Sequence, residues 1–220
     1  MSSPAFVVGV GPGLGSALAR RLARGGAPVA VFARSAAQLD LPSLGASVRA
    51  FSADAADPPA LRAALEAAIA ALGPPAVAIY NPSVLRMAGP LEVGAEALID
   101  ELRLHVGGAV TMAEVVVPAM RARGSGQVLV TGGGTALRPW ADATALSVGK
   151  AAARSYALAL ADALAGGPVR AATITVDGQI VPGTDFDPDL IADAFARVLA
   201  LDDARWQAEH VWRGPGSILA

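Results

Sequence analysis

Val8-Gly9-Val10-Gly11-Pro12-Gly13-Leu14-Gly15-Ser16-Ala17-Leu18-Ala19 decides how the rest of the chain is read. The apolar run Ala5 to Val10 that leads into it has the length and composition of a buried strand. Beyond the glycines, Leu14, Leu18 and Leu22, with Ala19 and Ala23, recur at helical spacing, and Arg20, Arg21 and Arg24 fall on the other faces. The order is strand, glycine turn, helix. Gly9, Gly13 and Gly15 stand in the pattern G-x-x-x-G-x-G, with Gly11 between them. In such a turn one glycine permits the bend, one lets backbone approach a pyrophosphate, and one lets the helix lie close to the strand. The helix start, from Leu14 onward, offers unpaired N–H groups and the positive end of a dipole to phosphate. With a strand before it and a helix after it, the turn points to dinucleotide binding.

Composition sets the frame around this turn. A chain of 220 residues suits one domain, residues 1–220, with a substantial core. Hydrophobic residues make up 54% and charged residues 16%, and the net charge of −2 suggests neither a nucleic-acid nor a membrane-surface partner. The absence of cysteine excludes disulfides, thiolate catalysis and Cys-ligated metal, and no metal site is expected. The first residues lack a basic n-region, and no uninterrupted apolar run reaches the roughly 20 residues that span a bilayer, so a cytoplasmic protein is expected.

Further along, apolar runs and helical patterns alternate. Gly25-Gly26-Ala27 stops the first helix, and Pro28 to Ala33 reads as a second strand. Ala46 to Phe51 reads as a third strand, Pro58 to about Leu72 as an amphipathic helix, and Ala76 to Tyr80 as a fourth strand. A long helical stretch is predicted from about Ala95 to Arg121, a fifth strand at Gln127 to Thr131, and a helix from about Asp142 to Ala165. Val169 to Val176 is rich in β-branched residues and reads as a sixth strand. A helix from Pro188 and a last strand at Glu209 to Trp212 complete the pattern. Strands alternating with helices imply an α/β fold: a Rossmann-like, doubly wound three-layer sandwich with a mostly parallel sheet of six to seven strands. Arg34 sits just past the second strand, where many dinucleotide folds carry an acid for the ribose 2′-hydroxyl. An arginine there pairs a 2′-phosphate, so NADP(H) is expected in preference to NAD.

The sequence resembles the short-chain dehydrogenase/reductase family from its first strand to about Thr184. The glycine turn is similar to that family's T-G-x-x-x-G-x-G, with Val8 where threonine is usual. Asp54 resembles the aspartate that holds the adenine amino group. Tyr80-Asn81-Pro82-Ser83 is similar to the N-N-A-G segment, Asn81 matching its second asparagine and Ser83 replacing its glycine. Leu146-Ser147-Val148-Gly149-Lys150 resembles the Y-x-x-x-K segment, in which the lysine binds the nicotinamide ribose. The run Asp177 to Thr184 resembles the segment that meets the carboxamide, with Ile180 and Thr184 as its candidates and Asp177 where proline is usual. The resemblance thus implies cofactor contacts from Gly9, Gly11, Gly13, Leu14, Gly15, Arg34, Asp54, Asn81, Ser83, Lys150, Ile180 and Thr184.

The departures bear on chemistry. In the family a tyrosine hydroxyl protonates the carbonyl, a lysine lowers its pKa, and a serine holds the substrate oxygen. Here Leu146 replaces the tyrosine, Gly133 the serine, and His105 the helix asparagine of the proton relay; only Lys150 remains. Lys150 and His105 are therefore the catalytic candidates, His105 because imidazole titrates near neutrality. The other reading of His105 is a helix histidine satisfied by backbone. Gly133, Trp140 and Leu146 are expected to line the substrate pocket. Tyr80, Ser83, Thr131, Thr135 and Ser147 bring hydroxyls near it, or serve the structure alone. Tyr156 points elsewhere on its helix, and His210 is expected at a surface or interface. The near absence of residues between Thr184 and Pro188 implies an open or shallow pocket without a helical lid, or one closed by another subunit. Three functions follow: an NADP-dependent oxidoreductase of a small molecule with an altered proton donor, a catalytically silent NADP-binding protein, or a non-redox enzyme in the same cleft. The family's pairing of long helices implies a homodimer or homotetramer.

Overall fold

The computed structural model of the chain describes residues 3–219. Its strands are β1 (Ala5–Val8), β2 (Val29–Ala33), β3 (Val48–Ser52), β4 (Val77–Tyr80), β5 (Gly126–Gly133), β6 (Val169–Val176) and β7 (Glu209–Trp212). They form one sheet in the order β3-β2-β1-β4-β5-β6-β7, with every neighbouring pair parallel. Parallel neighbours require crossovers, and the helices supply them. These are α1 (Leu14–Ala23), the short α2 (Leu41–Leu44), α3 (Pro58–Leu72), α4 (Ala95–Leu102), α5 (Gly108–Arg123), α6 (Thr144–Leu164) and α7 (Pro188–Leu199). The doubly wound three-layer sandwich expected from the sequence is therefore the fold, with seven strands.

Side chains of each strand alternate between two cores, as the period of 2 demands. Phe6, Val8, Phe32, Tyr80, Val128 and Val130 face α3, α5 and α6. Val7, Val31, Ile79, Leu129 and Ile174 face the other way, against Leu14 and Leu18 of α1 and Ile191, Phe195 and Val198 of α7. Ion pairs stitch the outer face of this second layer, Arg20 to Asp189 at 2.9 Å and Arg21 to Asp193 at 2.6 Å. They are half-exposed, so apolar packing carries most of the stability.

Three expectations change. The long helix is not uniform: five residues, Arg103–Gly107, form a π-turn that joins α4 to α5 and carries His105. β5 runs two residues past Thr131, so Gly132 and Gly133 belong to the sheet and pair with Thr175 and Val176. His210 is not a surface residue. It is 6% exposed on β7, its ring 6.1 Å from that of Trp206, because β7 extends the sheet beyond β6 and presents alternate residues inward. The rod Ala95–Arg123 is long and apolar enough to cross a bilayer by composition alone, but Met112, Val116 and Met120 on it are fully buried in the core, which explains its apolarity.

Phe195 is 1% exposed between α7 and the sheet. Phe195→Ala should lower stability by about 3–5 kcal/mol, read as a fall in the urea midpoint with an unchanged slope; a shift within error would show that the α7 layer is not part of the cooperative core.

Candidate active site

The order of the sheet reverses between β1 and β4, and the loops leaving their carboxyl ends diverge to leave a groove, the place where open parallel sheets bind ligands. On one side the glycine turn closes tightly. Gly9 has φ +84°, and a Cβ there would lie 2.6 Å from the Pro82 nitrogen. A Cβ on Gly15 would lie 2.6 Å from the Gly9 carbonyl oxygen. Gly11 and Gly13 differ: a Cβ on either meets no atom within 4 Å. Two of the glycines are thus required by packing, and two face open space. Gly13 caps α1 without a side-chain hydrogen bond, so the first amides of that helix are free of side-chain partners.

Asn81 braces the other side. Its Nδ2 donates to the Gly9 carbonyl at 3.0 Å, and its Oδ1 accepts from Thr131 Oγ1 at 3.1 Å. Lys150, on α6, donates from Nζ to the Thr131 carbonyl at 3.1 Å. A hydrogen-bonded column thus runs from the glycine turn through β4 and β5 to the lysine. Lys150 is 6% exposed, and burial pulls its pKa down to about 8.

The groove has two halves that share Gly9, Gly11 and Ser83. The inner half, about 450 Å³, reaches Asn81, Gly133, Leu146, Lys150 and Ile180. The outer half, about 560 Å³, reaches Arg34, Asp54, Arg86 and Glu101. Both volumes suit a cofactor site. Arg34 is exposed and makes no side-chain ion pair among the described residues. Asp54 is also exposed, with Oδ1 accepting from the Ala56 amide at 2.9 Å. A larger recess, about 1110 Å³, lies at the opposite ends of β4 to β6. Several of its polar groups are already used: Gln127 donates to the Leu199 carbonyl, and Arg170 pairs with Asp203 and lies 4.0 Å over Trp206. Volume alone does not make that recess a site.

Several expected positions lie elsewhere. Trp140 is 44% exposed and does not line the groove; the Ser147 hydroxyl accepts from its amide and donates to the Ala143 carbonyl, which fixes the loop rather than facing a ligand. Thr184 also stays outside, its hydroxyl donating to the Val181 carbonyl at 2.8 Å while Ile180 alone of that segment's two candidates reaches the groove. Asp177 turns from the groove to Arg138 and Arg213, which hold its carboxyl below the usual range. The Tyr80 hydroxyl donates to the Leu104 carbonyl beneath the sheet, and burial raises its pKa. Tyr156 packs partly buried against the α3–α5–α6 core.

His105 is neither in the groove nor satisfied by backbone. Its ring is 1% exposed, packed against Gly149, where a Cβ would lie 2.5 Å from Cδ2. Both ring nitrogens and both oxygens of Glu101 lack hydrogen bonds, although Nε2 stands 4.0 Å from a Glu101 oxygen and Arg86 Nε 3.3 Å from the other. Burial, and then the charge of Lys150, push the imidazole pKa down to about 3; burial raises that of Glu101. Glu101 was not anticipated, and its position four residues before His105 on a helix was the available signal.

A family model described as short chain dehydrogenase matches residues 3–183. Over 128 residues, 56% of this chain, the sequence is 31% identical to 3-dehydrosphinganine reductase TSC10A of Arabidopsis thaliana, and the match spans 38% of that protein's length. L-Sorbose reductase from Gluconobacter frateurii, solved with NADPH and L-sorbose, shares the fold at a TM-score of 0.88 and 22% identity, over 99% of this chain and 97% of its own. An NADPH-bound short chain oxidoreductase from Pseudomonas aeruginosa PAO1, described as containing an atypical catalytic center, shares it at a TM-score of 0.85 and 22% identity, over 95% of this chain and 94% of its own.

The depressed imidazole pKa fixes a sign. The unfolded chain takes up the His105 proton near pH 6.5, whereas the folded chain resists it to about 3, so His105 stabilises the fold above that window and its contribution is lost as pH falls through it. Thermal melts should show wild type losing up to about 1.4 kcal/mol per pH unit more than His105→Gln between roughly pH 6 and 4. Parallel pH profiles for the two proteins would mean that His105 is hydrated in the folded state.

Proposed function

The chain belongs to the short-chain dehydrogenase family, and on that footing we propose that it binds NADP(H) along the groove and exchanges a hydride with a small molecule beside Lys150. The observation that carries this reading is the open groove at the strand reversal, walled by the column Asn81–Thr131–Lys150 and free of side chains over Gly11 and Gly13. The amides of Leu14 and Gly15, unpartnered at the start of α1, suit a pyrophosphate. Asp54 suits the adenine amino group, and the unpaired Arg34 a 2′-phosphate. Ser83 and Lys150, lining the inner half, would hold the second ribose, and Ile180 would meet the nicotinamide end. The bound cofactor supplies the hydride.

The reacting end lacks the family's hydroxyl acid, with Leu146 and Gly133 in the places of tyrosine and serine. Lys150 is then the group that holds a transferable proton, since its pKa of about 8 lies near the working range of a general acid. His105, neutral and behind Gly149, serves packing. A weak acid of this kind suits an iminium or activated alkene better than a simple ketone. The Pseudomonas oxidoreductase, with its atypical catalytic center, is a precedent for departure from the usual set. The competing reading is a silent NADP-binding protein, favoured by the same two replacements. It gains if NADPH binds but is not oxidised over a panel of ketones, imines and enones.

Arg34→Ala should weaken NADPH about tenfold more than NADH, measured by nicotinamide fluorescence; equal losses would remove the 2′-phosphate contact. Leu146→Tyr combined with Gly133→Ser should confer ketone reduction. The serine is accommodated, because a Cβ at Gly133 meets Lys150 Cγ at 3.4 Å, an ordinary contact. A folded, NADPH-binding double variant without carbonyl reduction would show that these two positions are not the missing acid and its partner.

A further inference from the structure

Lys150 is the only lysine in the sequence; every other residue in the lysine-plus-arginine total of 17 is arginine. Among the described residues it is also the only ionisable one lining the inner half of the groove. Its Nζ has no carboxylate partner, and the one hydrogen bond it makes is to the Thr131 carbonyl. One helical turn earlier, Leu146 presents a hydrocarbon side chain to the same space, with Leu85, Val176 and Ile180 around it. An amine desolvated among apolar walls and not paired to an acid is the arrangement that makes lysine a nucleophile toward carbonyl carbon.

We propose that the nucleotide-free cleft captures small aliphatic aldehydes and ketones covalently, as a Schiff base on Lys150. The neutral Nζ adds to the carbonyl carbon, forming the C–N bond while the carbonyl π pair moves to oxygen. A proton moves from nitrogen to that oxygen, giving a carbinolamine. Loss of the second N–H proton and of hydroxide, together one water, leaves the C=N double bond. No oxidant or reductant is consumed. The hydroxyls of Thr135 and Ser83 line this half of the groove and are donors available to the carbinolamine oxygen, and the open mouth lets the water leave. The apolar walls select an unsubstituted aliphatic chain. Apart from Lys150 itself, the inner half offers no cation to hold a carboxylate or phosphate on the substrate. His105, behind Gly149 and neutral, feels the charge of Lys150, and burial alone sets the amine's own charge state. With its pKa drawn to about 8, the amine is roughly a hundredfold richer in its neutral form at about pH 8 than an ordinary lysine.

The test is reductive trapping of the nucleotide-free protein. Wild type, Lys150→Arg, and wild type unfolded in urea are incubated with butanal and cyanoborohydride at about pH 8, and adducts are mapped by mass spectrometry. Because the chain has one lysine, the competing amine is the N-terminal α-amine of the protein used. The expected result is an adduct at Lys150 that forms at least about tenfold faster in folded than in unfolded wild type, and a Lys150→Arg protein labelled at the α-amine alone. Labelling of folded wild type at the α-amine only, or at Lys150 no faster than in urea, overturns the proposal. The comparison of folded with unfolded wild type needs no variant, so misfolding of Lys150→Arg leaves the result decisive. Failure of NADPH to bind would defeat the hydride-transfer reading and leave this one standing.

Discussion

The Asn81 carboxamide is the strut on which the site depends. Its two ends face strands that run apart from one another in sequence and in connection: the nitrogen reaches the Gly9 carbonyl, the oxygen receives the Thr131 hydroxyl. A parallel sheet with a strand-order reversal necessarily opens a crevice there, because successive crossovers leave in opposite directions. An amide that donates to one wall and accepts from the other fixes the width of that crevice. The rest of the geometry, from the approach of α1 to Gly9 to the placing of Lys150 on the Thr131 carbonyl, is measured from this bridge.

Polar groups in and around the groove divide into two populations. One is fully used: Ser147 in its loop, Tyr80 on Leu104, Asp177 between two arginines. The other is not: the exposed Arg34, the amides of Leu14 and Gly15 at the start of α1, and the buried Glu101–His105 pair. A folded protein satisfies nearly all its buried polar groups, so the unsatisfied Glu101–His105 pair marks where the fold gives up stability. It coincides with the groove and the wall directly behind it, including the π-turn, an irregularity that recurs at functional positions in helices.

Much of this was legible in the sequence because it rests on local constraints. Gly9 and Gly15 are forced by contacts under 3 Å, and such contacts leave a readable spacing. Strand alternation and the Pro58 and Pro188 helix starts are equally local, and each helix opens at the proline the pattern indicated. What was not legible depends on distant partners. Trp140 and Thr184 have suitable types and plausible positions, yet their loops are fixed by Ser147 and by the Val181 carbonyl, which turn them from the groove. His210 looked peripheral because it lies near the end of the chain, whereas its burial is set by pairing of β7 with Thr173 to Val176 of β6. The Glu101–His105 pair hid inside a helical pattern whose periodicity slips at the π-turn.

The topology has a consequence for biogenesis. β1 emerges first from the ribosome but ends at the centre of the sheet, flanked by β2 and by β4. The half β3-β2-β1 is contiguous in sequence and can assemble while synthesis continues. The opposite wall waits for Asn81, 72 residues after its partner Gly9, and for Thr131, 50 residues later still. Until β4 (Val77–Tyr80) is made, the free edge of β1 is an unpaired template for other nascent chains, and the pairing of β4 with β1 then covers it.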